Sequence, residues 1–199
     1  MDGLKVVLAS GNPHKLRELR TLLPGWKLEA LETTGLPEET GETFYANARA
    51  KAVFGRSVGE PDAWTLGEDS GLEVDGLGGR PGIRSARYAG PRASDEENVA
   101  RVLAELQDVG ASGRRARYVS ELVLLVPGSD EFRGTGTLAG AIAGEPRGSG
   151  GFGYDPVFIP DGEARTVAEL GDGWKSGHSH RARAAALLRA AVGNAARAM

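Results

Sequence analysis

The sequence predicts an α/β fold with a mixed β-sheet, and two observations carry the prediction. Short apolar runs with strand character alternate with leucine and alanine patterns of helical spacing, which is typical of βα units. Further along, two long strand-like segments are joined only by Pro-Gly-Ser-Asp, which predicts an antiparallel hairpin: Arg115–Val126 and Glu131–Ile142. At 199 residues the chain is expected to form a single domain, 1–199.

The first part of the chain is predicted to hold two helices. Pro13 suits the first turn of a helix with regularly spaced leucines, which Pro24 and Gly25 end. Thr43 can cap a second helix through about Val58, with four apolar residues on or near one face: Phe44, Ala48, Ala52 and Val53. Three short strands are expected beside them: Lys5–Ala9, Lys27–Leu31 and Ala63–Leu66. The third strand is expected to end at a Gly-Glu-Asp-Ser-Gly turn.

The second part is predicted to begin with a glycine-rich hairpin and loop over 72–94. Ser94 and Glu97 form a capping-box pattern for a helix through about Leu106. After the long hairpin, 156–160 is a candidate short strand. The last helix is expected to begin near His180.

Composition excludes several classes of function. The net charge of −3 argues against a surface for nucleic acid, and the absence of cysteine excludes disulfides and thiolate metal sites. The N-terminal apolar stretch is too short for a signal peptide, and no 18-residue apolar run occurs. We therefore expect a cytoplasmic protein that binds neither membrane nor nucleic acid.

The stretch Ser10–Lys15, Ser-Gly-Asn-Pro-His-Lys, lies between a predicted strand and helix. Backbone N–H groups at a helix N-terminus favour an anion, and Lys15 adds a full charge. Ser10 and Asn12 add short polar side chains that can bond phosphate oxygens. A tight turn with a helix cap explains the same residues, and both interpretations are open.

Acidic residues occur in two predicted loops. Glu39 lies in Glu-Glu-Thr-Gly-Glu-Thr, and Glu68 and Asp69 lie in Gly-Glu-Asp-Ser-Gly. Acids at the carboxyl end of a strand in an α/β sheet lie where ligands bind, and Mg²⁺ takes a few carboxylates together with phosphate oxygens. A solvated surface or a turn-forming Asp is the competing interpretation for each group.

Two later stretches complete the candidate site. Glycines surround Phe152 and Tyr154 in 149–156, so that a flat base could approach the backbone and stack on a ring, unless one ring lies in the core. Lys175, His180 and Arg181 form a cationic cluster at the start of the last helix. The combination of cationic helix starts, acidic loops and a glycine-aromatic loop predicts a site for magnesium and a nucleoside triphosphate.

These stretches, in this order, resemble the Ham1/inosine triphosphatase family of pyrophosphatases that act on nonstandard purine nucleoside triphosphates. The matching blocks include "SGNPHKLREL", "EDSGLEVDGLGGRPGIRSARYAG", "GSGGFGYDPVF" and "KSGHSHRARA", and the resemblance runs from about Val7 to Leu188. Two residues depart from the family pattern: Glu68 stands where relatives often have aspartate, and Ala46 where glutamate is common.

The resemblance implies a long central mixed sheet, two lobes with a nucleotide-binding cleft between them, and a homodimer. It implies cleavage between the α- and β-phosphates of inosine and xanthosine triphosphates and their deoxy forms, which cleanses the nucleotide pool. Mg²⁺ is expected at Glu39 and Asp69, with Glu68 nearby, and Asp69 and Lys15 are the expected catalytic residues. Substrate contacts are expected from fourteen residues: Ser10, Gly11, Asn12, Pro13, His14, Lys15, Ser70, Phe152, Gly153, Tyr154, Asp155, Lys175, His180 and Arg181.

Three competing functions follow from the same residues. A pyrophosphatase for a modified pyrimidine triphosphate would share the site. A nucleotide sensor would bind without hydrolysis, although three acids are more than binding alone needs. A nucleic-acid module is disfavoured by the negative charge.

Overall fold

The computed structural model describes residues 3–33, 35–60, 62–128 and 131–198 and confirms the predicted α/β class. Its strands are β1 (Leu4–Ala9), β2 (Trp26–Ala30), β3 (Trp64–Val74), β4 (Arg115–Leu125), β5 (Glu131–Ile142) and β6 (Phe158–Pro160). Its helices are α1 (Pro13–Leu22), α2 (Phe44–Val58), α3 (Asp95–Glu105), α4 (Val167–His178) and α5 (His180–Ala198). Most of these bounds lie within two residues of the predicted ones.

The strands form one mixed sheet in the order β2-β1-β3-β4-β5-β6. β1 pairs in parallel with β2 on one side, where Leu4 is opposite Trp26, and with β3 on the other, where Ala9 is opposite Gly67. β5 and β6 are antiparallel, with Gly140 opposite Pro160. Parallel βα units and an antiparallel edge therefore share one sheet.

Two compact units divide the chain. The first comprises Met1–Asp69, Ser120–Gly136 and His180–Met199, and the second comprises Ser70–Val119 and Thr137–Ser179. The single domain and the cleft expected from the resemblance stay predictions. Among the described residues, no helix has the length and apolar character that a membrane span requires.

The first unit buries the apolar residues of its predicted short strands in one core. Its main core is made of large aliphatic side chains, among them Val6, Leu8, Leu19, Leu23, Leu28, Leu66, Leu122, Leu124 and Leu188. Full burial of each such side chain contributes about 1.5–3 kcal/mol. Thr43 caps α2 as predicted, but Val53 is 44% exposed, so its place on the apolar face was wrong. Phe44, Ala48 and Ala52 are buried, and the two alanines cluster with Val123 and Leu125 of β4.

The second unit has its own core around α3. It includes Leu72, Val74, Val99, Val102, Leu106, Tyr118, Leu138, Tyr154 and Phe158. The Ser94 hydroxyl accepts from the Glu97 N–H and the Glu97 carboxylate accepts from the Ser94 N–H, so the predicted capping box is confirmed. The expected hairpin and loop after position 72 are confirmed in a reduced form: β3 runs to Val74, and Glu73 forms an isolated antiparallel bridge with Pro81. The rest of the segment contains two short 3₁₀ turns, Asp75–Leu77 and Gly82–Arg87.

The predicted turn at Gly-Glu-Asp-Ser-Gly was wrong, because β3 continues through it. Gly67 sits against the backbone of α2, where a Cβ atom would meet the Ala48 carbonyl oxygen at 1.9 Å. Glu68 is fully buried, and it forms ion pairs with Lys15 and Arg181, which are distant in sequence. The composition is that of a turn, but helix packing and buried charge pairing keep the segment extended.

Among the α-helices of the described residues, α4 is the one that the sequence prediction lacked. Thr166 and Glu169 form a second capping box at its start, and its backbone leaves helical geometry at Gly171, whose φ is +79°. Lys175 therefore lies in the last turn of α4 and not at the start of the last helix. The Thr-x-x-Glu spacing was a usable signal, but three glycines in the segment lower its helix propensity.

Candidate active site

The turn after β1 is organised by Asn12. Its Oδ1 accepts hydrogen bonds from the backbone N–H groups of His14 (2.9 Å) and Lys15 (3.3 Å), and the Ser10 hydroxyl oxygen accepts from the Asn12 N–H (3.3 Å). Asn12 is thus the N-cap of α1. Two of the amides that could bind an anion are occupied by this cap, so the side chain of Lys15 is the main cationic group at the turn.

Lys15 belongs to a buried chain of ion pairs. Its Nζ lies 2.6 Å from Glu68 Oε2, and Arg181 Nη2 lies 3.1 Å from Glu68 Oε1. Arg181 also pairs with Glu18. Glu68 is 0% exposed and Arg181 2%, so this arginine from α5 is fixed inside the first unit.

The charge of Glu68 is strongly favoured despite its burial. Burial alone raises the pKa of the Glu68 carboxyl, but Lys15 and Arg181 outweigh it and hold the pKa well below its usual range. Glu68 is therefore a carboxylate whose two oxygens already have cationic neighbours. Its place in the metal site stays a prediction.

Two further acids converge on one ammonium group. Lys51 Nζ lies 2.5 Å from Glu39 Oε1 and donates to Asp69 Oδ1 at 2.9 Å and to the carbonyl oxygen of Glu68 at 3.2 Å. Asn47 donates from Nδ2 to Asp69 Oδ2 at 3.2 Å. Both Asp69 oxygens are thereby oriented by side chains from a single face of α2.

Charge and burial oppose each other at this group. Burial lowers the pKa of Lys51, but Asp69 and Glu39 outweigh it, so that the pKa is raised and the ammonium persists. Burial raises the pKa of the Asp69 carboxyl, and Lys51 and Lys15 offset this only in part. A carboxylate with a raised pKa is a better proton acceptor than an exposed one.

The donor set fits Mg²⁺ that is shared with a substrate. Among the described residues, no three His, Cys, Asp or Glu side chains are grouped closely enough to hold a metal ion. Glu39 and Asp69 nevertheless contact the same positive charge, that of Lys51. Mg²⁺ is usually held by one or two carboxylates, with water and substrate phosphate completing the shell.

In the second unit, Asp155 organises the glycine-aromatic loop. Its Oδ2 accepts from the Phe152 N–H at 3.1 Å and from Lys175 Nζ at 2.8 Å, and its Oδ1 accepts from the Tyr118 hydroxyl at 3.1 Å. Lys175 Nζ lies 4.8 Å from the centroid of the Phe152 ring. Gly151 is required here, since a Cβ atom would meet Asp155 Oδ2 at 2.1 Å and its φ is +76°.

The two aromatic residues of the loop have different environments. Tyr154 is 4% exposed, lies in the core of the second unit, and donates from its hydroxyl to the Ser85 carbonyl oxygen at 2.8 Å. Phe152 is half-buried. The core interpretation therefore holds for Tyr154, and Phe152 is the ring with exposed surface.

The predicted residues fall into one group for each unit. The first unit holds Ser10, Gly11, Asn12, Pro13, His14, Lys15, Glu39, Glu68, Asp69, His180 and Arg181. The second holds Ser70, Phe152, Gly153, Tyr154, Asp155 and Lys175. Arg181 was expected beside the base with Lys175, and that role stays a prediction. Its described ion pairs are with Glu68 and Glu18, which neutralise its buried charge.

The sequence prediction missed four polar residues of these groups: Glu18, Asn47, Lys51 and Tyr118. Asn47 and Lys51 are four residues apart on α2 and share the face of Ala48 and Ala52. Polar residues on an otherwise apolar helix face are buried with partners, and this signal was available in the sequence.

Comparison with known proteins gives a consistent result. Residues 6–191 match the family model described as Ham1 family. A dITP/XTP pyrophosphatase of Bdellovibrio bacteriovorus is 46% identical over 188 residues, covering 91% of this chain and 94% of that protein. One of Thermus thermophilus is 45% identical over 189 residues, covering 92% and 89%.

Solved structures agree with the sequence matches. The Staphylococcus aureus Ham1 protein aligns with a TM-score of 0.84 at 34% identity, covering 96% of this chain and 99% of that one. A HAM1 protein from Coxiella burnetii aligns with a TM-score of 0.85 at 36% identity, with the same coverage.

Proposed function

Because the chain belongs to the Ham1 family, we propose that it hydrolyses nonstandard purine nucleoside triphosphates to the monophosphate and pyrophosphate. The substrates are inosine and xanthosine triphosphates and their deoxy forms, and hydrolysis removes them before they enter DNA or RNA. The observation that carries the proposal is the carboxylate of Asp69, oriented by Lys51 and Asn47 and paired with Glu39 through a common cation.

The triphosphate is bound at the turn before α1. Lys15 supplies the positive charge, and the Ser10 hydroxyl, whose oxygen accepts from the Asn12 N–H, donates its own hydrogen to a phosphate oxygen. Since Lys15 is 14% exposed, its ammonium retains some access while Glu68 holds its position. A positioned ammonium stabilises the charge that develops on departing pyrophosphate.

Asp69 acts as the general base. It takes a proton from the water that attacks the α-phosphorus, the bond from that phosphorus to the bridging oxygen breaks, and pyrophosphate leaves. Lys51 and Asn47 keep the carboxylate oxygens of Asp69 in fixed directions during this transfer. Glu39 and Asp69 would hold Mg²⁺, which activates water and neutralises phosphate charge when bound.

The base is recognised by the loop of the second unit. Phe152 offers a ring for stacking, and Lys175, held by Asp155, offers a donor for the 6-oxo group of hypoxanthine or xanthine. Adenine presents a 6-amino donor at that position. A donor facing a donor leaves both groups without a partner, which lowers kcat/KM strongly for adenosine triphosphate.

A substrate panel tests this function. Pyrophosphate release is measured with inosine, xanthosine, guanosine and adenosine triphosphates, with and without magnesium. We expect release from the first two and little from adenosine triphosphate, and we expect release only with magnesium. Equal rates with adenosine triphosphate, or release of single phosphate, would contradict the proposal.

Asp69→Asn isolates the chemical step. We expect it to abolish pyrophosphate release and to leave nucleotide binding largely intact, because the amide keeps the shape but accepts no proton. The matched control is Asp108→Asn, since Asp108 is an exposed aspartate of the second unit, and this variant should behave as wild type. Wild-type turnover in Asp69→Asn would remove Asp69 from the mechanism.

Assembly and location follow from the family resemblance and remain part of the proposal. We infer a homodimer that works on the cytoplasmic nucleotide pool. Light scattering coupled to size-exclusion chromatography tests the dimer, and a monomer at micromolar concentration would refute it.

A further inference from the structure

The loop that carries Phe152 is fixed at two consecutive backbone amides. The Phe152 N–H donates to Asp155 Oδ2 at 3.1 Å, and the Gly153 N–H donates to Asp95 Oδ2 at 2.6 Å. The first acceptor belongs to the loop itself. The second comes from α3, 58 positions earlier in the chain, so it ties the loop to a separate element of the second unit.

Asp95 is not needed for the cap of its own helix. The capping box of α3 consists of Ser94 and Glu97, which exchange both hydrogen bonds. The helix dipole accounts for an acid in the first turn, and Glu96 and Glu97 already supply two. It does not account for a carboxylate oxygen directed at the Gly153 amide.

The Gly153 backbone needs such an external contact. Its φ is +62°, and Gly150 and Gly151 precede it closely. Apart from its two chain neighbours, no described residue has an atom within 4 Å of the place a Cβ would occupy. A glycine-rich segment loses much conformational freedom when it is ordered. A hydrogen bond to an ionised acceptor is stronger than one between neutral groups and is suited to hold it.

We propose that Asp95 is a positioning residue that fixes the Phe152–Tyr154 segment in the conformation that receives the base. This inference rests on the proposed function. Tyr154 is anchored on one side by its bond to the Ser85 carbonyl, and Asp95 holds the backbone between Tyr154 and Phe152. The loop is then ordered before the nucleotide arrives, which reduces the entropic cost of binding.

The test compares three variants. Asp95→Ala removes the acceptor, Asp95→Asn keeps a neutral one, and Glu96→Ala removes the same charge one residue later in the same turn. For Asp95→Ala we expect KM for inosine triphosphate to rise about fivefold, the effect of one hydrogen bond, with kcat within about twofold of wild type. Asp95→Asn should recover most of the affinity, and Glu96→Ala should leave KM unchanged.

Amide exchange separates this inference from the proposed function. In the nucleotide-free protein, hydrogen exchange of the Gly153 amide, followed by nuclear magnetic resonance, should be about tenfold faster in Asp95→Ala than in wild type or Glu96→Ala. An unchanged exchange rate overturns the inference, as does an equal rise of KM in Glu96→Ala or an effect on kcat alone. A wild-type protein that releases no pyrophosphate refutes the proposed function, and the exchange rate still decides whether Asp95 holds the loop.

Discussion

Replacement of Glu68 by Gln should destabilise the protein strongly although the two side chains have nearly the same shape. Glu68 is 0% exposed, and each of its oxygens faces a cation: Lys15 Nζ at 2.6 Å and Arg181 Nη2 at 3.1 Å. The substitution creates no cavity. It removes the negative charge beside Arg181, which is 2% exposed and keeps its ion pair with Glu18.

The size of the effect follows from the burial of the pair. Removal of one partner from a buried ion pair costs about 3–5 kcal/mol, and we expect the lower end because Glu18 still neutralises Arg181. A loss of about 3 kcal/mol lowers Tm by roughly 6–12 °C for a protein of this length. The pKa of Glu68 is depressed in the fold, so this stabilisation is complete above the pKa of the unfolded chain, about 4, and decreases as the pH falls below it.

Urea denaturation of wild type and Glu68→Gln measures the loss at pH 7 and again below pH 4, where the difference should narrow. Glu29→Gln is the matched control, since Glu29 forms a pair with Lys5 at 3.8 Å with both side chains at least half exposed. That change should cost less than about 1 kcal/mol. If Glu68→Gln costs no more than the control, the buried ion-pair chain does not stabilise the fold as argued.

Two further outcomes are expected. Lys51→Met removes the ammonium 2.9 Å from Asp69 and should lower kcat for pyrophosphate release at least about tenfold. Lys5→Met, the control at an exposed lysine, should leave kcat unchanged. Equal kcat values for the two variants would contradict the role of Lys51. Burial and its hydrogen bond to Glu105 raise the pKa of Tyr88 to about 12, so the stabilisation by this hydroxyl is complete below pH 10 and is lost as the pH rises toward 12. The advantage of wild type over Tyr88→Phe in chemical denaturation should therefore shrink across that interval, and a constant difference would show that the hydroxyl does not titrate as described.

The elements that local signals determine were predictable from the sequence. The apolar run before Ser10, the first-turn proline of α1, and the Ser94–Glu97 capping box each specify their structure within a few residues. The Pro-Gly-Ser-Asp turn signal between β4 and β5 is similarly local. These elements formed as expected because their local preferences agree with the packing of the two cores.

The course of β3 depends on distant contacts, and the prediction failed there. Glu68 stays in a strand because Lys15 and Arg181, far apart in sequence, neutralise it, and Gly67 is needed where α2 packs. The burial of Lys51 also depends on distant contacts, because its charge is neutralised by Glu39 and Asp69, which lie in two other segments. A short window can show that a polar residue lies on an apolar helix face, but it cannot show which distant residues will be its partners, because those pairings form only in the folded chain.

The motifs identified residue types more reliably than they identified orientation. The glycine-aromatic loop contains one half-buried ring, Phe152, and one core ring, Tyr154, and the sequence left both interpretations open. Only the packing against the second core separates them. Similarly, the sequence allowed the Asn12 side chain either to bind an anion or to cap a helix, and in the structure it caps α1.

The central claim is that water, activated at Asp69, attacks the α-phosphorus. Hydrolysis of inosine triphosphate in water enriched in the heavy oxygen isotope, with mass spectrometry of both products, tests it most directly. The account predicts that the label appears in inosine monophosphate and that pyrophosphate remains unlabelled. Label in pyrophosphate, with unlabelled monophosphate, would show attack at the β-phosphorus and contradict the account.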